Sequence, residues 1–458
     1  MQGLPNHGTC PEAAHTPRAV PARPGRPRHK APAVILVLGL ISALLMVAAV
    51  SRSVHAERGW AAGAFLAEPL GAHPPDARFA EVRPLQTVAV ASVVVAQWEP
   101  VPRAPATMTV ATSGSSTFQD AVMSVAPSTP WLSLPPSTAF TRIGFGSCLD
   151  QRYPQPIWTS VLKAKPQLFM MIGDNVYGDI KSPDAKELVE AYRKQLAHPE
   201  FSEARSSLPM IGIWDDHDYG LNDGTASFQQ REASAALFRS YWQAPVAKDT
   251  SAGVNTAHIY GPDGKRVQII LLDVRSFRSA FGPKPAGSNL AGKFGPDWDT
   301  QKTMLGAEQW SWLEGELRKP ADIRLLVSSI QVLSEGHAFE RWGNLPLERD
   351  RLLKLIETTG AKGVLLLSGD RHLGAIYKWP LAASQIVFEM TSSSLNRSYG
   401  PAKDMRTPEL ISNLHHAENF GLIDIDWSAR KVALTLKGMS GDDLDVVAVG
   451  FADLGLGQ

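Results

Sequence analysis

The sequence predicts an α/β protein, on three observations. From residue 141 onward, short apolar runs alternate with amphipathic stretches. The runs have strand length and the amphipathic stretches have helical spacing. Several runs also stop abruptly at a polar cluster, as strands do where an α/β sheet presents its binding edge. Strands are expected at residues 167–172, 208–213, 267–272, 323–328 and 363–367. Helices are expected at 156–164, 183–197, 307–318 and 347–358. Ser182-Pro183-Asp184 reads as a helix start, with a capping hydroxyl, a proline at the first helical position and an early acid. Trp310, Leu313 and Leu317 recur at helical spacing and mark a core-facing stripe. Segments 422–426 and 432–437, joined through Ser428-Ala429-Arg430, read as a closing hairpin, and no internal repeat is evident.

The 458 residues carry 45 Lys+Arg against 45 Asp+Glu. That balance argues against a nucleic-acid-binding module, which needs a basic surplus or patch. Basic residues do gather before residue 31, where Arg18, Arg23, Arg26, Arg28 and Lys30 face only Glu12. An apolar run at 34–50 follows and ends near Ser53-Val54-His55-Ala56. This pattern describes an export signal, or an uncleaved membrane anchor, since the run is near the minimum for a span. Export to the periplasm, cell surface or outside is the expected localisation, with membrane association through this segment if it stays. The absence of an Arg-Arg pair does not support a twin-arginine route. Residues 1–56 thus form the signal or anchor. Residues 57–138, rich in Ala, Pro, Val and Ser with one β-like patch at 87–97, read as a linker, and 139–458 as the main domain. Of the two cysteines, Cys10 precedes the apolar run, which leaves Cys148 without an internal disulfide partner.

Four clusters end apolar runs: Gly144-Phe145-Gly146-Ser147-Cys148, Gly173-Asp174-Asn175-Val176-Tyr177, Trp214-Asp215-Asp216-His217-Asp218 and Ser368-Gly369-Asp370-Arg371-His372. Crowded carboxylates at a buried strand end repel one another and lose hydration unless a cation sits among them. Asp, Asn and His suit hard or borderline cations, whereas a thiolate and a phenolate favour a trivalent or borderline metal. Two metals need a shared carboxylate, for which Asp174 is the natural candidate, and His217 can protonate a leaving oxygen.

These motifs resemble those of the PhoD-like alkaline phosphatases, a branch of the calcineurin-like metallophosphoesterases. Gly173-Asp174-Asn175-Val176-Tyr177 fits the GDxxY form, Trp214-Asp215-Asp216-His217-Asp218 the WDDH-D/E form, and Gly369-Asp370-Arg371-His372 the GDxH form. Cys148 fits the Ser-Cys motif, and Leu272-Asp273-Val274-Arg275, 305–310 and 391–394 resemble connecting motifs, so the likeness runs over about residues 141–437. It implies a four-layer α/β/β/α sandwich and a binuclear site, Fe(3+) held by thiolate and tyrosinate and Ca(2+) by oxygen donors, other divalent metals being alternatives. By position it implies Cys148, Asp174, Tyr177, Asp216, Asp370 and His372 as metal ligands and His217 as the catalytic histidine. Asn222 and Arg275 are implied to meet metal or phosphate, and Asp215 falls on the superfamily glycine. After Tyr177 the chain has Gly178-Asp179, where the better-known form has Glu.

Taken singly, each residue has a simpler reading. Cys148 can be a small buried hydrophobe, Tyr177 a core aromatic, Asp174 a turn residue and Arg275 a structural ion pair. The acidic run does not fit an EF-hand, because counting from Asp216 places Leu221 sixth and Ser227 twelfth. His337, His415 and His416 read as ordinary polar histidines. Ser147 lacks a Gly-x-Ser-x-Gly elbow, which argues against a serine nucleophile. The expected function is an exported phosphoesterase that cleaves phosphomonoesters, phosphodiesters or both by a metal-bound hydroxide. The alternative is a cell-surface binding protein with a structural metal cluster.

Overall fold

The computed structural model describes residues 115–244, 253–382, 385–400 and 403–457. The expected signal or anchor, Cys10 and the 87–97 patch lie outside the described residues. Among the described residues, no helix is long and apolar enough to cross a membrane.

In chain order, helix α1 (Ser115–Ser124) precedes strand β1 (Arg142–Gly146), α2 (Ile157–Ala164) and β2 (Leu168–Ile172). Next come α3 (Lys186–Leu196), α4 (Pro199–Ser207), β3 (Met210–Ile213), the single turn α5 (Asp216–Tyr219) and α6 (Arg231–Trp242). Strands β4 (Thr256–Tyr260) and β5 (Val267–Leu272) lead to a small ribbon of β6 (Gly282–Pro283) and β7 (Phe294–Gly295). Then follow α7 (Gly306–Leu317), β8 (Ile323–Ser328), α8 (Pro346–Thr359) and β9 (Val364–Ser368). The chain closes with β10 (Gly374–Ala382), β11 (Gln385–Ser392), β12 (Asn419–Asp426), β13 (Lys431–Gly438) and β14 (Asp443–Gly450).

Two six-stranded mixed sheets result, ordered β14-β13-β12-β1-β2-β3 and β10-β11-β9-β8-β5-β4. Strands β1, β2 and β3 run parallel in the first, and β11, β9, β8 and β5 in the second. Side-chain alternation builds the layers. Ile269 and Leu271 of β5, and Leu365 and Leu367 of β9, share a core with Ile143 and Phe145 of β1. Their sequence neighbours Ile270, Leu272, Val364 and Leu366 instead pack with Trp310 and Leu313 of α7 and Leu352 and Ile356 of α8. Helices α2 and α3 bring Trp158, Leu188 and Tyr192 to the first core. This is the expected α/β/β/α sandwich, with its parallel strands buried on both faces as near-continuous apolar runs.

Two local expectations are corrected. The helix expected from Pro183 begins at Lys186, after Ala185 in a left-handed conformation at φ 55°. Ser182 Oγ donates instead to Glu187 Oε2 at 2.6 Å, and that contact replaces the anticipated cap. The stretch 115–138, expected as the end of a linker, carries α1 and packs on the domain, with Val125 fully buried. Trp131 Nε1 donates to the Tyr241 carbonyl at 2.8 Å, and its ring stacks on Trp242 at 4.6 Å. One aromatic anchor among prolines gives no periodic signal, so the sequence pattern concealed it. Trp131→Ala is expected to cost about 2 kcal/mol of unfolding free energy, less than a fully buried tryptophan because the ring stays partly exposed. Chemical denaturation measures this, and an unchanged midpoint would contradict the docking.

Candidate metal centre

All four clusters lie where parallel strands end. Cys148 follows β1, Asp174 follows β2, Asp215 to Asp218 follow β3 and Asp370 follows β9. The backbone there is bent tightly. Cys148, Asp174, Asp370 and His372 have φ values of 59°, 48°, 64° and 51°. Left-handed non-glycine residues cost on the order of 1 kcal/mol each and are held only where surrounding structure dictates them. Gly173 permits the closest approach: a Cβ at its φ of 123° would lie 2.7 Å from Asp215 Cβ.

Ligand-type atoms converge in overlapping groups. Cys148, Asp174 and His372 offer atoms within 4.8 Å of one another, as do Asp174, Asp216 and His217, and Asp215, Asp216 and Asp370. Asp174 and Asp216 are each shared between groups. Cys148 Sγ lies 3.4 Å from Asp174 Oδ2, and Tyr177 Oη lies 3.3 Å from the same oxygen and 3.5 Å from His372 Nε2. His372 Nδ1 contacts the Arg397 carbonyl, so Nδ1–H donates there and Nε2 is left with its lone pair toward the cluster. Ser393 Oγ accepts the His372 backbone N–H at 2.8 Å and lies 3.0 Å from Cys148 Sγ. Its own proton is therefore free to point at the sulfur, an arrangement that suits a thiolate.

The electrostatics favour a cation. Burial, with Asp174 next to it, pushes the Cys148 thiol well up, and burial followed by Cys148 and Asp174 does the same to Tyr177. Burial and then Asp216 raise Asp174, while burial and then Asp215 and Glu340 raise Asp370. Burial holds His372 down at about 4, so it is neutral and able to ligate near neutral pH. For His217 burial opposes the charge, but Asp216, Asp174 and Asp179 outweigh it and push the imidazole up to about 11. The donor set therefore fits a metal: thiol, phenol and acids resist ionising together unless positive charge arrives among them.

The remaining acids are largely paired, although Asp215 Oδ2 is buried without a hydrogen-bond partner. Arg275 is fully buried, and its Nε donates to Asp215 Oδ1 at 2.6 Å and its Nη1 to Glu340 Oε2 at 2.6 Å. Arg278 donates to Glu340 Oε1 at 2.5 Å. Asp215 also accepts from Ser329 Oγ at 2.6 Å, and Asp218 accepts the Asp215 N–H at 2.7 Å and Asn175 Nδ2 at 2.5 Å. Arg275, expected to touch metal or phosphate, is a buried ion-pair hub, and its Nη2 lies 3.9 Å from Asp370 Oδ1 at the edge of the cluster. Asn222 is exposed and lines the cavity.

That cavity, about 550 Å³, has Asp174, Asp216, His217, Asp370 and His372 among its lining residues. Phe294, Phe339 and Tyr399 also line it, with the cations Lys293, Arg371 and Lys403. A hollow of about 360 Å³ at the amino ends of β5 and β8 is lined by Arg266, Arg318 and Arg324. Arg324 is committed there to the carbonyls of Ala321, Lys362 and Lys319. His337 is buried against Gln331 and His415 pairs with Asp445, both ordinary polar contacts. Sequence reasoning assigned no role to Glu340 or Tyr399, which sit in irregular segments with no motif around them, and saw Ser393 only as part of the connecting motif at 391–394.

Two outcomes are expected. Arg275→Met leaves Asp215 and Glu340 without their counter-ion and is expected to cost about 3–5 kcal/mol in denaturant unfolding. Near-native stability with a selective rise in KM would restore Arg275 as a substrate contact. Asp218, raised by burial to about 8, stabilises the protonated folded state. Such an acid's contribution is full below its unfolded pKa of about 3.9 and is lost as pH climbs through the folded value. Metal-stripped protein is therefore expected to lose Tm between about pH 5 and about pH 9, whereas metal binding, which needs deprotonated ligands, strengthens over that window. Thermal melts with and without added cation measure both trends, and a stripped protein that gains stability across the window would contradict this account.

A sequence profile described as PhoD-like phosphatase matches residues 143–436. Alkaline phosphatase D of Bacillus subtilis (strain 168) is 22% identical over 302 residues, 55% of this chain and 48% of that protein. The chain thus spans about half the length of that curated relative. The solved structure of PhoD superposes with a TM-score of 0.54 at 16% identity, over 69% of this chain and 70% of that one, which supports the fold. The purple acid phosphatase PPD1 of yellow lupin (Lupinus luteus) seeds gives a TM-score of 0.49 at 12% identity, over 69% and 55% of the two chains. Because the profile runs from β1 to β13 and includes every cluster that meets at the cavity, this chain belongs to the PhoD-like phosphatase family.

Proposed function

We propose that the protein is a metal-dependent phosphoric ester hydrolase acting on phosphomonoesters, phosphodiesters or both. One observation carries the reading: Asp174 and Asp216 are each shared between neighbouring ligand groups at the cavity, beside a histidine free to handle a proton. Cys148, Asp174, Tyr177 and His372 would hold one metal, and their thiolate and phenolate donors favour Fe(3+). Asp174, Asp216 and Asp370 would hold the second, an all-oxygen set that favours Ca(2+). When bound, such a pair neutralises phosphate oxygens and lowers the pKa of the attacking water.

The chain's own residues do the rest. Asp215 and Asp218 fix the turn that presents Asp216 and His217. His217 offers a proton to the departing oxygen, and no side chain is needed as covalent nucleophile. Asn222 lines the cavity opening as a substrate contact. The basic stretch before residue 31 and the apolar run at 34–50 support export, with the segment either cleaved or kept as an anchor.

Asp174→Asn is expected to cut turnover of a generic aryl phosphate by at least about 10³-fold while the fold is retained, since it removes a shared ligand but relieves a buried charge. Near-normal turnover would sink the assignment. Metal quantification on the purified wild type separates the readings: stoichiometric metal with no hydrolysis at any pH would favour a binding protein with a structural cluster.

A further inference from the structure

We infer that Tyr399 and Phe339 form a stacking wall that selects esters whose alcohol half carries a flat aromatic ring, such as a nucleoside. The inference rests on the hydrolase reading above and adds to it a class of leaving group. Both rings line the cavity that holds Asp174, Asp216 and His217, and both stay open to solvent, Tyr399 by 61% and Phe339 by 39%. One exposed aromatic needs no explanation, but two on the wall of a cavity that also holds a ligand cluster do.

Both rings are held in place. The Arg397 guanidinium lies 4.9 Å from the Tyr399 centroid, and that of Arg371 lies 4.3 Å from the Phe339 centroid. Each arginine is fixed in turn by an acid. Arg397 Nε lies 3.6 Å from Asp150 Oδ2, and Arg371 donates to both oxygens of Asp404. A ring backed in this way loses little further freedom when a ligand stacks on what remains exposed.

Position ties the wall to the reacting end. The Tyr399 ring lies 4.1 Å from the His372 imidazole, centroid to centroid, and the Arg397 carbonyl two residues earlier takes the His372 Nδ1 contact. Arg371, which backs Phe339, is the residue between Asp370 and His372. Both rings are thus anchored to the loop that ends β9. An ester with its phosphoryl group at the cluster would have its alcohol half beside them. The cavity of about 550 Å³ lies within the range of small-molecule pockets and holds more than a phosphoryl group. Every nucleobase has a π-face, so such a wall reads flatness and not base identity. A glycerol or sugar alcohol offers no π-face.

Full-length, metal-loaded protein is compared on adenosine 5′-phosphate and ribose 5-phosphate, which break the same bond and differ in the base. The nucleotide is expected to have a KM about tenfold lower at similar kcat. Equal KM values in the wild type would overturn the inference. Tyr399→Leu combined with Phe339→Leu keeps the wall apolar but removes its π-faces, and is expected to bring the two KM values within about twofold of each other. Tyr399→Phe is expected to keep their ratio, and because the ratio is read, a general loss of activity cancels. A ratio unchanged in the double variant would also overturn the wall. A second readout needs no turnover: adenosine alone, titrated calorimetrically, is expected to bind the wild type saturably and the double variant about tenfold more weakly. Absence of saturable binding by the wild type would overturn the inference as well. Failure of the wild type on both esters, and on p-nitrophenyl and bis(p-nitrophenyl) phosphate, would instead sink the hydrolase reading, and the adenosine titration would still decide the wall.

Discussion

A shortage of positive charge at the carboxyl ends of the parallel strands shapes everything around it. Asp174, Asp215, Asp216, Asp218 and Glu340 are buried there, with Asp370 beside them, against the buried guanidinium groups of Arg275 and Arg278. Two like charges about 4 Å apart repel by about 4 kcal/mol even at an effective dielectric constant near 20. The protein meets this in two tiers. Asp215, behind the cavity, and Glu340, in its wall, are matched by the two arginines, and Asp218 is tied by an amide and a backbone N–H. Asp174, Asp216 and Asp370 face the cavity, the tier in which a cation is needed.

The fold supplies the stiffness this requires. Two sheets packed face to face aim the ends of β1, β2, β3 and β9 at one place, and four of the residues there hold left-handed backbone conformations. Strain of that kind survives only on a rigid support. Both flanking cores provide it, because β2 and β9, two of the strands leading into the site, are buried along their whole length.

The same physics decides what could be read from the chain beforehand. The parallel strands and their flanking helices were legible because doubly buried strands are continuous apolar runs and helices carry a 3.6-residue stripe. β4 was not, since Thr256-Ala257-His258-Ile259-Tyr260 is half-buried throughout and lacks such a run. The polar helix α4 buries only Phe201 and Ala204, too little for a stripe. At the site, residues inside motifs were legible and their supports were not. Glu340 reaches Arg275 across 65 positions, and Ser393 reaches Cys148 across 245. Arg275 was ambiguous because an ion pair and a phosphate contact call for the same residue. Its complete burial and its pairs with Asp215 and Glu340 are what the fold adds.

The wall cations sharpen the case for metal. Lys293 pairs with Asp223, and Arg371 donates to both oxygens of Asp404 at 2.9 and 3.1 Å while lying 4.3 Å over the Phe339 ring. Each is therefore largely committed to an acid of its own. A phosphate dianion entering the cavity would meet carboxylates below it, with Lys293 and Arg371 beside it already paired and Lys403 and His217 as the remaining cations. Charge bound among Asp174, Asp216 and Asp370 would add to the attraction that Lys403 and His217 supply. The residues that crowd negative charge together are those whose neutralisation by metal would strengthen anion binding, so substrate affinity and metal occupancy are linked through one electrostatic balance.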